Sequence, residues 1–261
     1  MTWFNDTSLW IALPVFVGGF VLVSCLIVWL LRPAVRRMVD DTEQWDRVLG
    51  HVMATFGIFF GILLGLVAVS VYENFAMTRM AVLEEAANLG ALYRGTEGLP
   101  DEIGESVRAT IEAYTNEVIV EDFPAQRAGE VPDESTAFVE QIERKLQEFE
   151  PTGPSEQALY LQLLGTYEDL IEIRQERVDD TTLELPPLFW LVIWVGAAIN
   201  AVLIGFIYVR NLRLHLIMAG LLALFVGLVM FVTADLDHPY AGSISVGPGA
   251  FERVLEGFDD S

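Results

Sequence analysis

Four stretches of the chain are almost wholly apolar: Leu9–Leu31, Val52–Tyr72, Leu188–Val209 and Leu214–Ala234. Each has about the 20 residues that a membrane-crossing helix requires, and none carries an internal acid, lysine or arginine. The second stretch runs without a proline into Glu73–Leu89, where Phe75, Val82, Leu83, Ala86 and Leu89 recur at helical spacing and charges occupy the other face. This pattern predicts one long helix, a membrane span that continues as the first helix of a soluble bundle.

Three more amphipathic helices are expected before the third span. Leu99-Pro100-Asp101 opens the first, with Ile103, Val107, Ile111, Tyr114 and Val118 on its apolar stripe, ending near Phe123-Pro124. A polar loop follows over Gln126–Asp133. The next helix covers Glu134–Glu150, with Phe138, Ile142, Leu146 and Phe149 inward. Pro151 and Pro154 break it, Ser155 offers an N-cap, and a helix of about Glu156–Asp180 carries Leu159, Leu163, Tyr167, Leu170, Ile171 and Ile173. Together with the extension of span two, these stripes bury one another as a four-helix bundle over 73–187. The remaining 235–261 reads as a turn-rich tail and a short helix, with Phe251, Val254, Leu255 and Phe258 able to dock on the bundle. Ser243–Val246 is the one short β-like run. The fold class is therefore an all-α membrane protein with four transmembrane helices and a soluble helical bundle inserted between spans two and three.

Charge sharpens this picture. The net charge of −22 is concentrated between Glu73 and Pro187, where 26 acids face 8 bases. An anionic region of that strength argues against nucleic acid or anionic lipid as its partner. Arginines gather elsewhere, in Arg32, Arg36, Arg37 and Arg47 after span one and in Arg210 and Arg213 after span three. These loops share a side, while the tail has only Arg253 and Met1–Ser8 has no basic residue. By the positive-inside rule both termini and the acidic bundle are expected outside the cytoplasm. Leu9–Leu31 has no basic n-region or cleavage site and is read as a span, not a signal peptide.

Candidate chemistry is sparse. The single cysteine, Cys25, lies in the first span and permits no internal disulfide. Gly57, Gly61 and Gly65 form a small-xxx-small stripe on span two, for close helix packing within or between subunits. Phe56, Phe60 and Leu64 lie beside it, with Phe59 and Leu63 on a neighbouring face; either row, repeated around an axis, makes an apolar gate. Asp235, Asp237 and His238 follow span four and form either a cation site or a capped turn. No phosphate loop, nucleophile elbow or paired catalytic group is present, so no enzyme and no cofactor are expected.

Several strings resemble the bestrophin-like family of membrane proteins. They are Phe56–Gly65 running into Glu84–Leu89, then Leu92–Arg94, Leu99-Pro100, Arg174 and Arg177 ahead of Leu185–Trp190, and Asp237–Val246. The resemblance implies a relative of the bestrophins, pentameric anion channels in which the second span lines the pore and apolar side chains form a neck. Carried over by position, Phe56, Phe60 and Leu64 fit that neck, with Phe59 and Leu63 as the other register. The expected partners are the lipid bilayer, inorganic ions and further copies of the chain. A cation-selective channel, favoured by the acidic charge, and a non-conducting scaffold or sensor are the rival readings. The dense acidic calcium clasp of bestrophins is reduced here to Asp235 and Asp237, so calcium gating does not carry over.

Overall fold

In a computed structural model, described over residues 9–39 and 41–259, helices are the only regular secondary structure among the described residues. Met1–Ser8, whose lack of basic residues contributes to the expected orientation, lies outside them, as does Asp40. The helices are α1 (Leu9–Met38), α2 (Thr42–Gly95), α3 (Asp101–Glu117), α4 (Phe123–Arg127), α5 (Thr136–Gln147), α6 (Pro154–Asp179), α7 (Pro187–Gly205), α8 (Leu212–Leu236) and α9 (Gly249–Asp259). Four of them, α1, α2, α7 and α8, are long and apolar enough to cross a membrane. The chain divides into two compact units, one of residues 1–73 and 184–237, the other of residues 74–183 and 238–261.

In the first unit α1 packs along α8 and α7. Ala12, Val17 and Phe231 form one buried cluster, and Val28, Ile204 and Ala219 another. Small residues let these helices approach. A Cβ at Gly205 would stand 2.8 Å from Leu31, and one at Gly227 3.3 Å from Phe20. The boundaries differ from the apolar runs in one consistent way. Span one continues through Pro33 to Met38, and α2 begins at Thr42, ten residues before its apolar run. Asp41 caps α2, its carboxylate accepting from the N–H groups of Glu43 and Gln44 at 3.0 and 3.3 Å. Span three stops at Gly205, short of Val209, and the carbonyl of Phe206 instead accepts from the indole N–H of Trp45 at 3.0 Å. Arg32 donates to the carbonyl of Arg210 at 3.1 Å, so both arginine-rich loops lie at one end of this unit.

The second unit buries the predicted stripes. Val82, Ala86, Leu89, Val107, Ile111, Tyr114, Ile142, Leu146, Leu163 and Leu170 share one core, which α9 joins through Phe251 and Phe258. Tyr93 stacks on Phe258 with ring centroids 3.9 Å apart. Leu83, expected inside, is exposed, and Glu85 takes the inward position. Gly153, not Ser155, caps α6, because Pro154 is preorganised for the first helical position. Ser243–Val246 forms no strand; Val246 N–H donates to the carbonyl of Pro239 at 2.8 Å and closes a turn that uses Gly242 at φ +87°.

The expected break at Phe123-Pro124 is a change of helical pitch. Residues Val118–Asp122 form a π-turn in which Phe123 N–H donates to the carbonyl of Val118, and α4 follows directly with Pro124 in its first turn. A proline lacks the N–H that an α-turn would use, and its loss costs least where the hydrogen-bond register is already broken. Gln126, expected in a polar loop, is therefore helical and buried. The helix ends at Gly129, whose φ of +78° is open to glycine without strain.

Candidate functional site

Within its membrane portion α2 has two distinct faces. Phe60, Leu64, Val67 and Val71, spaced by four, three and four residues, are buried within the subunit. Phe60 lies against Gly196 of α7, where a methyl group would overlap its ring. Phe56 is half-buried and stacks on Phe60, with centroids 5.6 Å apart and planes 15° from parallel. Of the row Phe56, Phe60 and Leu64, the last two are packed inside the subunit and Phe56 is partly so. On the opposite side Ile58, Ile62, Leu66 and Val69 are more than half exposed, flanked by Phe59 at 71 % and half-buried Leu63. Gly57, Gly61 and Gly65 lie along the other flank, and among the described residues nothing beyond the helix's own backbone comes within 4 Å of where their Cβ atoms would stand. Among the described residues no other element covers the glycine stripe.

Asp235, Asp237 and His238 do not assemble a metal site; no group of three histidine, cysteine or acid side chains gathers among the described residues. Asp235 is buried near the end of α8. Asp237 holds the entry to α7 in place, its carboxylate accepting from Leu185 N–H at 2.8 Å and from the indole N–H of Trp190 at 2.9 Å. The carbonyl of His238 accepts from Ala241 N–H at 3.0 Å within the tail turn.

The second unit contains a centre that the apolar stripes did not reveal. Arg177 of α6 is completely buried, and its guanidinium is shared among three helical segments. Nε donates to Glu85 at 2.6 Å, Nη2 to Asp122 at 2.8 Å and Nη1 to the side-chain oxygen of Gln126 at 2.9 Å. Both carboxylates are fully buried as well, and each takes a second donor: Tyr114 hydroxyl on Glu85 at 2.5 Å and Ser135 hydroxyl on Asp122 at 2.8 Å. Arg174, one turn earlier, donates to the hydroxyls of Ser135 and Thr136 at 3.0 and 2.9 Å. The tail joins through Tyr240, whose hydroxyl donates to the carbonyl of Arg177 at 2.8 Å. Phe123 and Phe251 flank the guanidinium, 5.9 and 5.8 Å from their ring centroids.

Two guanidiniums and two carboxylates make this centre electrically balanced. Burial by itself lowers the Arg177 pKa, but Glu85, Tyr114 and Asp122 outweigh it and hold the guanidinium well above its ordinary value. Burial and the neighbouring Glu85 raise Tyr114, which keeps its hydroxyl protonated and able to donate. Burial raises Tyr240 likewise. The centre is buried, with Asp122 Oδ1 and Arg174 Nε left without a hydrogen-bond partner among the described residues, and it joins α2, the π-turn, α4, α6 and the tail. Its signal in the sequence is a matter of register. Arg174 and Arg177 continue the α6 stripe of Leu163, Tyr167 and Leu170, and Glu85 falls between Val82 and Leu89, so ions of opposite sign occupy inward positions on two helices.

These features define an all-helical membrane protein with four spans and a soluble helical unit sealed around a buried arginine. The chain belongs to the bestrophin-like family, whose domain matches residues 18–251. Its fold is shared with crystal structures of a bacterial bestrophin homolog from Klebsiella pneumoniae. One, an Ile-to-Thr variant, has a TM-score of 0.70 at 13% identity over 94% of this chain and 99% of that one. A Trp-to-Ala variant gives 0.72 at 13% identity over 94% and 97%. The structure phased on zinc gives 0.67 at 14% identity over 93% and 97%. No curated protein matches this chain significantly.

Proposed function

We propose that this chain assembles into a homo-oligomeric ion channel, a pentamer by resemblance to the bestrophins, with its α2 helices around the passage. The observation that carries the reading is the unused face of α2. A row of apolar side chains, Ile58, Ile62, Leu66 and Val69, and an adjoining stripe of three open glycines are left more than half exposed or uncovered among the described residues. Glycines at this spacing let a second helix approach closely, and apolar rings repeated around an axis make a dewetting gate. The burial of Phe60 and Leu64 favours this row for the neck over Phe56, Phe60 and Leu64, with Phe59 and Leu63 on its shoulder.

Chloride is the permeant ion by family resemblance, and the arginine-rich loops face the cytoplasm by the positive-inside rule. Cation selectivity is the second reading, favoured by the 26 acids against 8 bases of the soluble unit. Planar-bilayer recording of purified protein in a tenfold KCl gradient decides. A reversal potential near the chloride value supports the anion channel, and Ile62→Ala then raises the current by widening the neck. A value near that of potassium hands selectivity to the acidic surface. No current beside active control channels overturns conduction and leaves a scaffold that binds a partner.

A further inference from the structure

One face of α1 reads along its length as Leu22, Leu26, Trp29, Pro33 and Arg36, spaced by four, three, four and three residues. Leu22, Leu26 and Trp29 are 71, 52 and 57% exposed, so the described residues leave the apolar part largely uncovered. At the loop end of this face a groove of about 350 Å³ is walled by Trp29, Leu30, Arg32, Pro33 and Arg36. Arg32 is held in place there: Nη2 donates to the carbonyl of Arg210 at 3.1 Å, while its buried Nε has no acceptor. Neither Arg32 nor Arg36 meets a carboxylate among the described residues; the ion pair at this end of the unit joins Arg47 to Glu43 at 2.9 Å. Asp41, the other acid of this loop seen in a contact, caps α2.

Apolar surface, then an indole, then two guanidiniums that meet no carboxylate among the described residues is the polarity profile of an anionic phospholipid from acyl chain to phosphate. Tryptophan partitions to the headgroup level, and the guanidinium fork matches phosphate oxygens two at a time. We propose that this groove binds the phosphate of an anionic phospholipid, with Arg32 and Arg36 as its donors, Trp29 at the headgroup boundary and the acyl chain along Leu26 and Leu22. A free phosphate would use the same two guanidiniums but not the apolar row.

Native mass spectrometry of the full chain in detergent, titrated with phosphatidylglycerol or phosphatidylcholine, tests this. An anionic headgroup gains about fivefold in binding per surface arginine, so phosphatidylglycerol is expected to bind some 20-fold more tightly than phosphatidylcholine. Arg32→Gln with Arg36→Gln should abolish that preference, and Arg213→Gln should preserve it. Arg36→Gln alone, on an exposed side chain, should lower the preference about fivefold at an unchanged melting temperature. Equal binding of the two lipids, or a preference that survives the double variant, would overturn the proposal. Displacement of phosphatidylglycerol by inorganic phosphate would overturn it too, by making the groove a free-anion site.

Discussion

Replacing Arg177 by methionine tests the buried centre most directly. The substitution keeps an unbranched apolar stem but removes all three side-chain hydrogen bonds that the guanidinium donates. Glu85 is left with Tyr114 and Asp122 with Ser135, both carboxylates fully buried and without a cation at bonding distance. Breaking one side of such a pair costs about 3–5 kcal/mol, because the remaining charge stays desolvated. At about 1.4 kcal/mol per decade, amide exchange in the α3 and α6 cores should accelerate by roughly two to three and a half decades. Hydrogen exchange of protein in nanodiscs reads this out without requiring reversible unfolding. The triple variant Arg177→Met, Glu85→Leu, Asp122→Leu removes both stranded carboxylates, leaving Arg174 on the hydroxyls of Ser135 and Thr136, and should exchange more slowly than Arg177→Met alone. Exchange in Arg177→Met within threefold of wild type would refute the reasoning. So would a triple variant that exchanges faster than the single one.

Three further outcomes are expected. Gly196→Ala drives a methyl into the Phe60 ring and should destabilise the first unit by about 1–3 kcal/mol, with Phe60→Leu restoring it; loss without rescue in thermal melts would contradict the contact. Asp237→Ala leaves Leu185 N–H and the Trp190 indole without their acceptor, costing about 1–3 kcal/mol, visible as faster exchange at the start of α7. In alkali the buried tyrosines set the response: burial pushes Tyr167 up to about 12 and raises Tyr114 and Tyr240 also. The unfolded chain releases these protons near the ordinary value of about 10, before the folded one does. Stability should thus hold below that pH and fall as pH rises towards 12, with a shallower fall in Tyr167→Phe; a flat profile would exclude this linkage.

The four spans and the inward stripes of the bundle were legible because uninterrupted apolar length and three-to-four spacing are read directly from residue type. The ends of the helices were not. The apolar run of span two begins at Val52, but backbone hydrogen bonding extends α2 back to a cap at Asp41, across polar residues that no hydropathy pattern marks. The direction in which α2 faces was ambiguous for a different reason. Phe56, Phe60 and Leu64 on one face and Phe59 and Leu63 on its neighbour are equally apolar, and it is burial in the subunit that separates Phe60 and Leu64 from exposed Phe59. The buried centre escaped a reading that treats charge as surface. Arg177, Glu85 and Asp122 are neutralised by one another, a pairing that spans 92 and 55 residues of sequence.

The π-turn at Val118–Asp122 gives the bundle an unusual intolerance to changes in length. In an α-helix each residue turns the chain by about 100°, and a turn closed over five residues absorbs one residue more than its neighbours. Asp122, Phe123 and Gln126 therefore keep their bearing on Arg177 because of a single surplus residue. Inserting one more residue there, with the widened turn already filled, would swing the carboxylate, the ring and the amide off the guanidinium together by about 100°. Substitutions around this turn act on one contact at a time, whereas a one-residue insertion acts on the phase of everything that follows it.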